Sequence, residues 1–299
     1  MATTQYTLHN LLPARARLGE GPIWDEMAQV LYWVDIYNHR VHRFTPATGE
    51  DTYFDVGDTV GAIALTYTHQ ILIAQRHQLA FLDPDTGIVT PIVSIEDNLP
   101  QNRINDGKCD AAGRFWFGSM SAQKEAGNLY CYEPSGQLHR METNLTISNG
   151  LGWSPDNRTF YLTDSPTGHI YAYDFDITTG NLDRRRVFAD LSGEIGVPDG
   201  LTVDSEGCVW SALWDGWCII RFSPEGREIN RIPLPIQRPT SCTFGGKGLT
   251  TLLITTASIG LSETDIEKSF FSGDLFSTET DVLGLRSHRF GPAPNSDQP

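Results

Sequence analysis

Six short apolar segments recur along the chain: LYWVD (31–35), ILIAQ (71–75), FWFGS (115–119), FYLTD (160–164), VWSAL (209–213) and LLITT (252–256). A second set follows them: VHRFTP (41–46), LAFLDP (79–84), LYCYEP (129–134), IYAYDF (170–175), IIRFSP (219–224) and DLFSTE (274–279). Runs of β-branched and aromatic residues bounded by turn residues are typical of strands. From Pro46 to Pro224 the chain advances 178 residues over four repeats. The repeat is thus roughly 44 residues long, as in the blade of a β-propeller.

Six such repeats, each of about four short antiparallel strands, predict an all-β fold: a six-bladed β-propeller with four-stranded antiparallel blades. The segment from Tyr6 to Leu12 has no blade of its own, and we expect it to add to the last blade and remove an open edge. Helical periodicity is confined to Leu261–Ser269, where one short helix is expected. We predict a single domain over residues 1–290 and a flexible C-terminal tail over residues 291–299.

Composition excludes several classes of partner. The 299 residues include 22 Lys and Arg against 37 Asp and Glu, a formal charge of −15, which argues against binding to nucleic acid or to anionic lipid. No apolar stretch approaches the roughly 18 residues of a membrane span. Five cysteines without a CxxC pair favour reduced thiols, so we expect a cytoplasmic protein. The oligomeric state is left open.

One position recurs at the same level in every repeat. It lies five residues before the turn that ends the first strand, and its six occupants are Glu20, Val60, Asn105, Asn149, Asp199 and Thr240. Because the first strands all start at one rim of the central channel, we expect these side chains to converge there. Four of the six carry a carboxylate or a carboxamide. Burying two carboxylates at one level is costly unless a cation lies among them.

The oxygens of Glu20, Asn149 and Asp199 are therefore a candidate metal site. Such a ligand set suits Ca²⁺ best, also Mg²⁺ or Mn²⁺, with Zn²⁺ less typical. Few protein ligands leave coordination positions open for water or substrate, as in catalytic metal sites. The alternative is a polar channel rim that holds only water.

Five segments carry a family resemblance: LGEGPIW (18–24), RINDGKCDAAGRFWFGSM (103–120), ISNGLGWS (147–154), PDGLTVDSEGCVW (198–210) and TSCTFGG (240–246). In this order, and from about Leu11 to Phe290, the chain resembles the gluconolactonase/regucalcin (senescence marker protein) family. The resemblance implies a six-bladed propeller with one divalent metal at the channel mouth and hydrolysis of a small sugar lactone.

Carried over by motif, the resemblance makes Glu20, Asn149 and Asp199 the metal ligands. Arg103 and Asn105 match positions that contact substrate. One departure occurs after the motif's final Met, where some animal members carry an acidic residue and this chain has Ser121-Ala122-Gln123.

This constellation predicts a metal-dependent lactonase. A metal-bound lactone carbonyl would be polarised, and Asp199 would take a proton from the attacking water or serve only as a ligand. Arg103 would bind sugar hydroxyls or a developing anion, or else pair with Asp106 or another acid. Asn105 would contact substrate or a metal-bound water, or else cap a turn.

Three questions stay open in the sequence. Asp106 and Lys108 are interpreted as structural residues. The segment Ser119–Asn128 is either a lid over the mouth or an ordinary hairpin loop. The rival functions are a non-catalytic calcium-binding or scaffold propeller and a promiscuous esterase or organophosphatase at the same metal.

Overall fold

The computed structural model describes residues 6–293. Within them the chain forms twenty-four strands in six four-stranded sheets, and every sheet is antiparallel. The inner strands contact one another in order around a central channel. The protein is a six-bladed β-propeller, as the repeats predicted.

The blades are numbered here along the chain. Blade 1 contains β2 (Gly19–Asp25), β3 (Val30–Asp35), β4 (Arg40–Thr45) and β5 (Glu50–Asp55). Blade 2 contains β6 (Val60–Leu65), β7 (Ile71–Gln75), β8 (Gln78–Leu82) and β9 (Val89–Ser94). Blade 3 contains β10 (Asn102–Cys109), β11 (Phe115–Ser121), β12 (Gly127–Tyr132) and β13 (Leu138–Leu145).

Blade 4 contains β14 (Ser148–Trp153), β15 (Thr159–Asp164), β16 (His169–Phe175) and β17 (Leu182–Asp190). Blade 5 contains β18 (Val197–Val203), β19 (Val209–Trp214), β20 (Cys218–Phe222) and β21 (Glu228–Pro233). Blade 6 contains β22 (Pro239–Gly245), β23 (Thr251–Thr256), β24 (Leu275–Glu279) and, as its outermost strand, β1 (His9–Leu12).

The ring is closed by the N-terminal strand. β1 pairs antiparallel with β24, with His9 opposite Ser277, so the last blade takes its fourth strand from the start of the chain. This confirms the prediction for the segment from Tyr6 to Leu12. Closure gives the otherwise exposed edge of β24 a partner.

The core is divided among the interfaces between blades. Six apolar clusters each join two neighbouring blades, and the sixth joins blade 6 back to blade 1. Trp33, Trp116 and Trp210 are fully buried in three of these interfaces. Large aromatic side chains suit this place because they fill the space between two facing sheets.

One short α-helix, α1 (Glu263–Lys268), lies between β23 and β24, inside the predicted segment 261–269. Ser262 caps it by accepting a hydrogen bond from the Asp265 amide at 3.2 Å. No helix within residues 6–293 has the length and apolar character that a membrane span requires. The single-domain prediction for residues 1–290 stays a prediction, and residues 294–299 of the predicted tail lie outside the described residues.

The propeller has two faces. Each inner strand begins at the first, called here the site face, and ends at the second, called the base. Because neighbouring strands are antiparallel, the connections between the second and third strands of each blade return to the site face. Tyr37, between β3 and β4, therefore lies on the same face as the start of every inner strand.

Residues 282–291 cross the base, and we call this segment the base strap. The strap contacts five of the six blades. Its Leu283 carbonyl accepts from Ser205 N of blade 5 at 2.8 Å, and its Gly284 N donates to the Leu249 carbonyl of blade 6 at 2.8 Å. Arg286 pairs with Glu26 of blade 1 at 3.3 Å, and the amides of Phe290 and Gly291 donate to the carbonyls of Leu65 in blade 2 at 2.7 Å and Gly113 in blade 3 at 3.0 Å. A cavity of about 320 Å³ lies in the channel between the inner strands and Leu285–His288 of the strap.

Candidate active site at the channel mouth

All six inner strands are irregular at the same level. The pairing register of each with its neighbour shifts at or next to the residues Glu20, Val60, Asn105, Asn149, Asp199 and Thr240. A bulge of this kind bends a strand and redirects a side chain, and such bulges are frequent beside active sites. The level that the sequence alignment identified is thus a ring of bulges around the channel.

Glycine next to this level brings the inner strands close together. A Cβ added at Gly150 would lie 2.4 Å from the Asp199 carbonyl oxygen, and one at Gly61 would lie 2.4 Å from the Asn105 carbonyl oxygen. Only a residue without a side chain permits these approaches. Neighbouring blades are therefore near enough for their side chains at the ring to touch.

The ring brings the predicted ligands together. The Asn149 amide nitrogen donates to the Asp199 carboxylate and to Ser165 Oγ, the latter at 3.1 Å. Its oxygen accepts from the Gly150 amide at 3.1 Å. Metal ligation through the Asn149 oxygen would require the carboxamide to turn over, which exchanges its amide nitrogen and its oxygen.

Three carboxylates are buried at or beside this level. Glu20, Asp199 and Asp106 are 7%, 5% and 8% exposed. Burial, followed by the charges of Asp199 and Asp106, raises the pKa of the Glu20 carboxyl well above its usual range. Burial and the Asp106 charge do the same to the pKa of Asp199, and burial raises the pKa of Asp106 against the opposing charge of Lys108.

These carboxylates fit a divalent cation. Among residues 6–293 no basic side chain forms an ion pair with Glu20, Asp106 or Asp199. Buried like charges of this kind are stable as anions only with a compensating cation. The donors at the level are all oxygens, which hard cations such as Ca²⁺ and Mg²⁺ prefer.

A second cluster has ligand-type atoms but is already compensated. Asp204, Glu206 and Cys208 lie within 4.8 Å of one another at a turn of the base. Asp204 accepts from Arg221 Nη2 at 2.6 Å and from Trp210 Nε1 at 2.9 Å. Burial raises the pKa of the Cys208 thiol to about 11, so the thiol stays protonated at neutral pH. This cluster is a structural ion pair.

Arg103 lies beside the carboxylates without pairing to Asp106. Its Nη1 donates to the Ile104 carbonyl at 3.0 Å, and its Cζ lies 5.5 Å from the centre of the Tyr37 ring. Burial lowers the pKa of Arg103, against the opposing influences of Tyr37 and Glu20. Asn105, 8% exposed, donates to the Ser148 carbonyl at 3.0 Å, which ties blade 3 to blade 4 and caps no turn.

The loop expected as a lid or a hairpin is mostly strand. β11 extends to Ser121 and β12 starts at Gly127, so only residues 122–126 connect them. Glu96 bonds to both strands, because it accepts from Ser119 Oγ of β11 and from Tyr130 OH of β12 at 2.9 Å each. The arrangement is that of a short hairpin on the site face.

Sequence reasoning missed Asp106 as a member of the site. A signal exists one residue after the aligned level, where the six blades have Gly21, Gly61, Asp106, Gly150, Gly200 and Ser241. Asp106 is the one acid in a position that is glycine in four blades. Tyr37 gave no such signal, because it lies on a connection between strands and reaches Arg103 only in the folded ring.

The comparisons with known proteins agree with this fold. The SMP-30/gluconolactonase/LRE-like region matches residues 18–258. The chain belongs to this family. Regucalcin of Gallus gallus is 35% identical over 92% of this chain and 95% of its own length.

Two further proteins bear on the site. The 6-deoxy-6-sulfogluconolactonase of Pseudomonas putida is 34% identical over 91% of this chain and 94% of its own length. The crystal structure of a calcium-binding protein, regucalcin, from Agrobacterium tumefaciens superimposes with a TM-score of 0.93 at 28% identity, covering 97% of this chain and 100% of that one. The family resemblance noted in the sequence is thereby confirmed.

Proposed function

We propose that this protein hydrolyses sugar lactones with a divalent metal held by Glu20, Asn149 and Asp199, Ca²⁺ being the first candidate. The observation that carries the proposal is the set of buried carboxylates at the ring, which form no ion pair within residues 6–293 although Arg103 lies nearby. Membership of the family supports a lactone as substrate, and the relative from Pseudomonas putida is named as a lactonase.

The ring residues divide the chemistry among them. A bound divalent cation would supply Lewis-acid polarisation of the lactone carbonyl. Asp199 accepts the proton of the attacking water as the new C–O bond forms at the carbonyl carbon. It then returns that proton to the ring oxygen as the ester bond breaks, which yields the open-chain acid.

Two other residues bind the sugar in this scheme. Arg103 presents guanidinium donors to substrate oxygens beside the carboxylates. Asn105 lies in the ring with its amide nitrogen held by the Ser148 carbonyl, and its oxygen is offered to substrate or water. In the alternative scheme Asp199 is only a ligand, and another group removes the proton.

A second candidate function is calcium binding without catalysis. The similar structure from Agrobacterium tumefaciens is described as a calcium-binding protein, and the same oxygens would serve that role. A promiscuous esterase at the same metal would also use them. Asn105 in the ring and Arg103 beside it favour the lactonase, because a binding site for calcium alone needs neither.

The test is the hydrolysis of D-glucono-1,5-lactone by the purified protein before and after metal removal with EDTA. We expect activity to disappear on removal and to return with Ca²⁺, Mg²⁺ or Mn²⁺. Full activity after verified metal removal would refute the metal mechanism, and metal binding without turnover of any lactone would favour the calcium-binding alternative.

We also propose that the protein works in the cytoplasm. All five cysteines are free and buried, which suits a reducing compartment.

A further inference from the structure

Arginine side chains collect at one side of the mouth in a protein whose formal charge is −15. Arg103 and Arg17 both lie close to Tyr37, with their Cζ atoms 5.5 Å and 5.4 Å from the centre of its ring. Arg17 lies on the connection that leads into β2, and Tyr37 on the connection after β3, so both are on the site face.

A third arginine joins them from blade 2. Arg76 lies on the connection between β7 and β8, also on the site face, and its carbonyl accepts from the Ile104 amide at 3.0 Å. This bond fixes Arg76 against the strand that carries Arg103. The charge of Arg76 contributes to the lowered pKa of Arg103, as expected for two nearby cations.

The acidic side chains near these arginines do not neutralise their positive charge. Asp58 lies 3.6 Å from Arg76, but both side chains are about half exposed, so the pair is weak. The Asp35 carboxylate is occupied by the Arg17 and Leu18 amides at 3.0 and 3.1 Å. Within residues 6–293 the Arg17 guanidinium forms no ion pair, and its side chain is exposed to solvent.

We propose that Arg17 and Arg103, which both lie close to Tyr37, bind an anionic substituent of the lactone together with Arg76. The preferred substrate is then a sugar lactone with a phosphate, sulfonate or carboxylate on the exocyclic carbon of the sugar. Guanidinium groups suit such anions because they offer paired donors in a plane. Arg103 connects the two parts of the site, since it adjoins the carboxylates on one side and the other arginines on the other.

This inference rests on the proposed lactonase function and adds the class of substrate. The ring carboxylates would act on the lactone carbonyl, whereas the arginines would hold the far end of the sugar. Even with a bound divalent cation, the three carboxylates of Glu20, Asp106 and Asp199 outnumber its positive charges at the carbonyl end, whereas the arginines offer positive charge at the far end. Positive and negative side chains lie on opposite sides of the channel mouth, and this arrangement determines which end of an anionic lactone faces the ring carboxylates.

The experiment compares lactones that differ only in this charge. We would measure kcat/KM for D-glucono-1,5-lactone and for its 6-phosphate and 6-sulfonate forms, at low and high NaCl. The wild-type protein should prefer the anionic lactones by roughly tenfold or more at low salt, and the preference should shrink as salt screens the arginines.

The variant Arg17→Ala/Arg76→Ala should bring the ratio of the anionic to the neutral kcat/KM close to one, and Arg17→Lys/Arg76→Lys should restore part of it. Arg227→Ala removes an exposed arginine from the base and should leave the ratio unchanged. Circular dichroism of each variant would verify folding.

Equal kcat/KM for neutral and anionic lactones in the wild type, or an unchanged ratio in the double alanine variant, would overturn this inference alone. If neither kind of lactone is opened, the proposed function falls as well. A phosphate preference without a sulfonate preference would restrict the substituent to a phosphate, and the charge-based assignment would then be wrong for sulfonates.

Discussion

Buried carboxylates occur at both ends of the inner strands, and the protein treats them in opposite ways. At the base, Asp204 receives hydrogen bonds from Arg221 and Trp210, and Asp110 receives them from Arg114 Nε at 2.7 Å and Trp116 Nε1 at 2.9 Å. At the mouth, Glu20 and Asp199 have no such basic partner within residues 6–293.

The base arrangement is a repeated structural device. In blades 3 and 5 the aspartate follows the inner strand, and the tryptophan that donates to it stands six residues later, in DAAGRFW and DSEGCVW. Both aspartates have no solvent exposure. The protein's own cation neutralises each one, so these carboxylates stabilise the fold and need no ligand.

The difference shows how a binding site can be recognised by its missing partners. A buried acid that forms an ion pair with arginine has a structural role. Several acids buried together without such a pair lower the stability of the fold until a ligand compensates their charge. This criterion favours Glu20 and Asp199 as the proposed metal site, although Asp204, Glu206 and Cys208 lie closer to an ordinary metal-ligand pattern.

The largest expected effect separates the two roles of Asp199. Asn retains a carbonyl oxygen that can coordinate but cannot accept a proton at neutral pH. If Asp199 is the base, Asp199→Asn should lower kcat by about 10²–10⁴-fold at saturating metal. Glu20→Gln removes the same charge from the ring, and its loss should be largely recovered by raising the metal concentration. Equal recovery of kcat in both variants would make Asp199 a ligand only.

Substitution of a buried carboxylate at the base should lower the free energy of unfolding and leave kcat unchanged. Asp204→Ala leaves Arg221 without its buried partner, and we expect the free energy of unfolding to fall by about 3–5 kcal/mol. Urea denaturation measures this change, with Glu206→Ala as the matched control because its side chain is 62% exposed. Activity per folded molecule should be retained in both. A drop in kcat with unchanged stability in Asp204→Ala would contradict the division between base and mouth.

Metal binding should distinguish the two clusters directly. At a concentration of Ca²⁺ about 100 times its dissociation constant, the metal-depleted protein should gain about 2.7 kcal/mol in unfolding free energy. Differential scanning calorimetry should show the gain reduced in Glu20→Gln and preserved in Cys208→Ser. Loss of the gain in Cys208→Ser would move the metal to the base.

The last prediction concerns the pH dependence of the free energy of unfolding, where a variant removes one of three ring carboxyls. In metal-depleted protein the raised pKa values of Glu20, Asp106 and Asp199 mean that the folded state holds protons that the unfolded state has released. For each carboxyl, the contribution to stability is full below the unfolded pKa of about 4 and is lost as pH rises through the folded pKa. The loss amounts to about 1.4 kcal/mol for every pH unit that separates the folded pKa from the unfolded one.

Urea titrations between pH 4 and 8 would therefore show a steeper decline for the metal-depleted wild type than for Glu20→Gln. Saturating Ca²⁺ should remove most of the difference between them. Identical pH profiles of the metal-depleted wild type and Glu20→Gln would indicate that the ring carboxylates do not raise one another's pKa in the folded protein.

The sequence contained most of the fold because the blade is a local unit repeated six times. Strand composition and a period of roughly 44 residues are properties of the sequence itself, and the antiparallel blade then places every inner strand in the same direction. Glu20, Asn149 and Asp199 could be aligned from spacing alone for this reason, although they are far apart in the chain.

The remainder of the site depends on contacts that no repeat encodes. The charge of Asp106 raises the pKa of Glu20 and of Asp199, which lie on other blades. The sequence indicates this residue only by an aspartate at a position that is glycine in four blades. Arg17 and Tyr37 lie on connections between strands, where the repeat is weakest. The alternative pairing of Arg103 with Asp106 could be decided only by side-chain positions in three dimensions.

The base strap has a consequence for how the molecule is made. Arg289 bonds to Asp25 across 264 positions of sequence, and Gly291 bonds to Gly113. Blade-internal contacts can form during synthesis, but these contacts cannot form until residue 291 has left the ribosome. Closing such long loops is slow, so the final step should be a late docking of the strap across the base. β24 leaves the ribosome before the strap does, so its pairing with β1 can close the ring before the base is sealed.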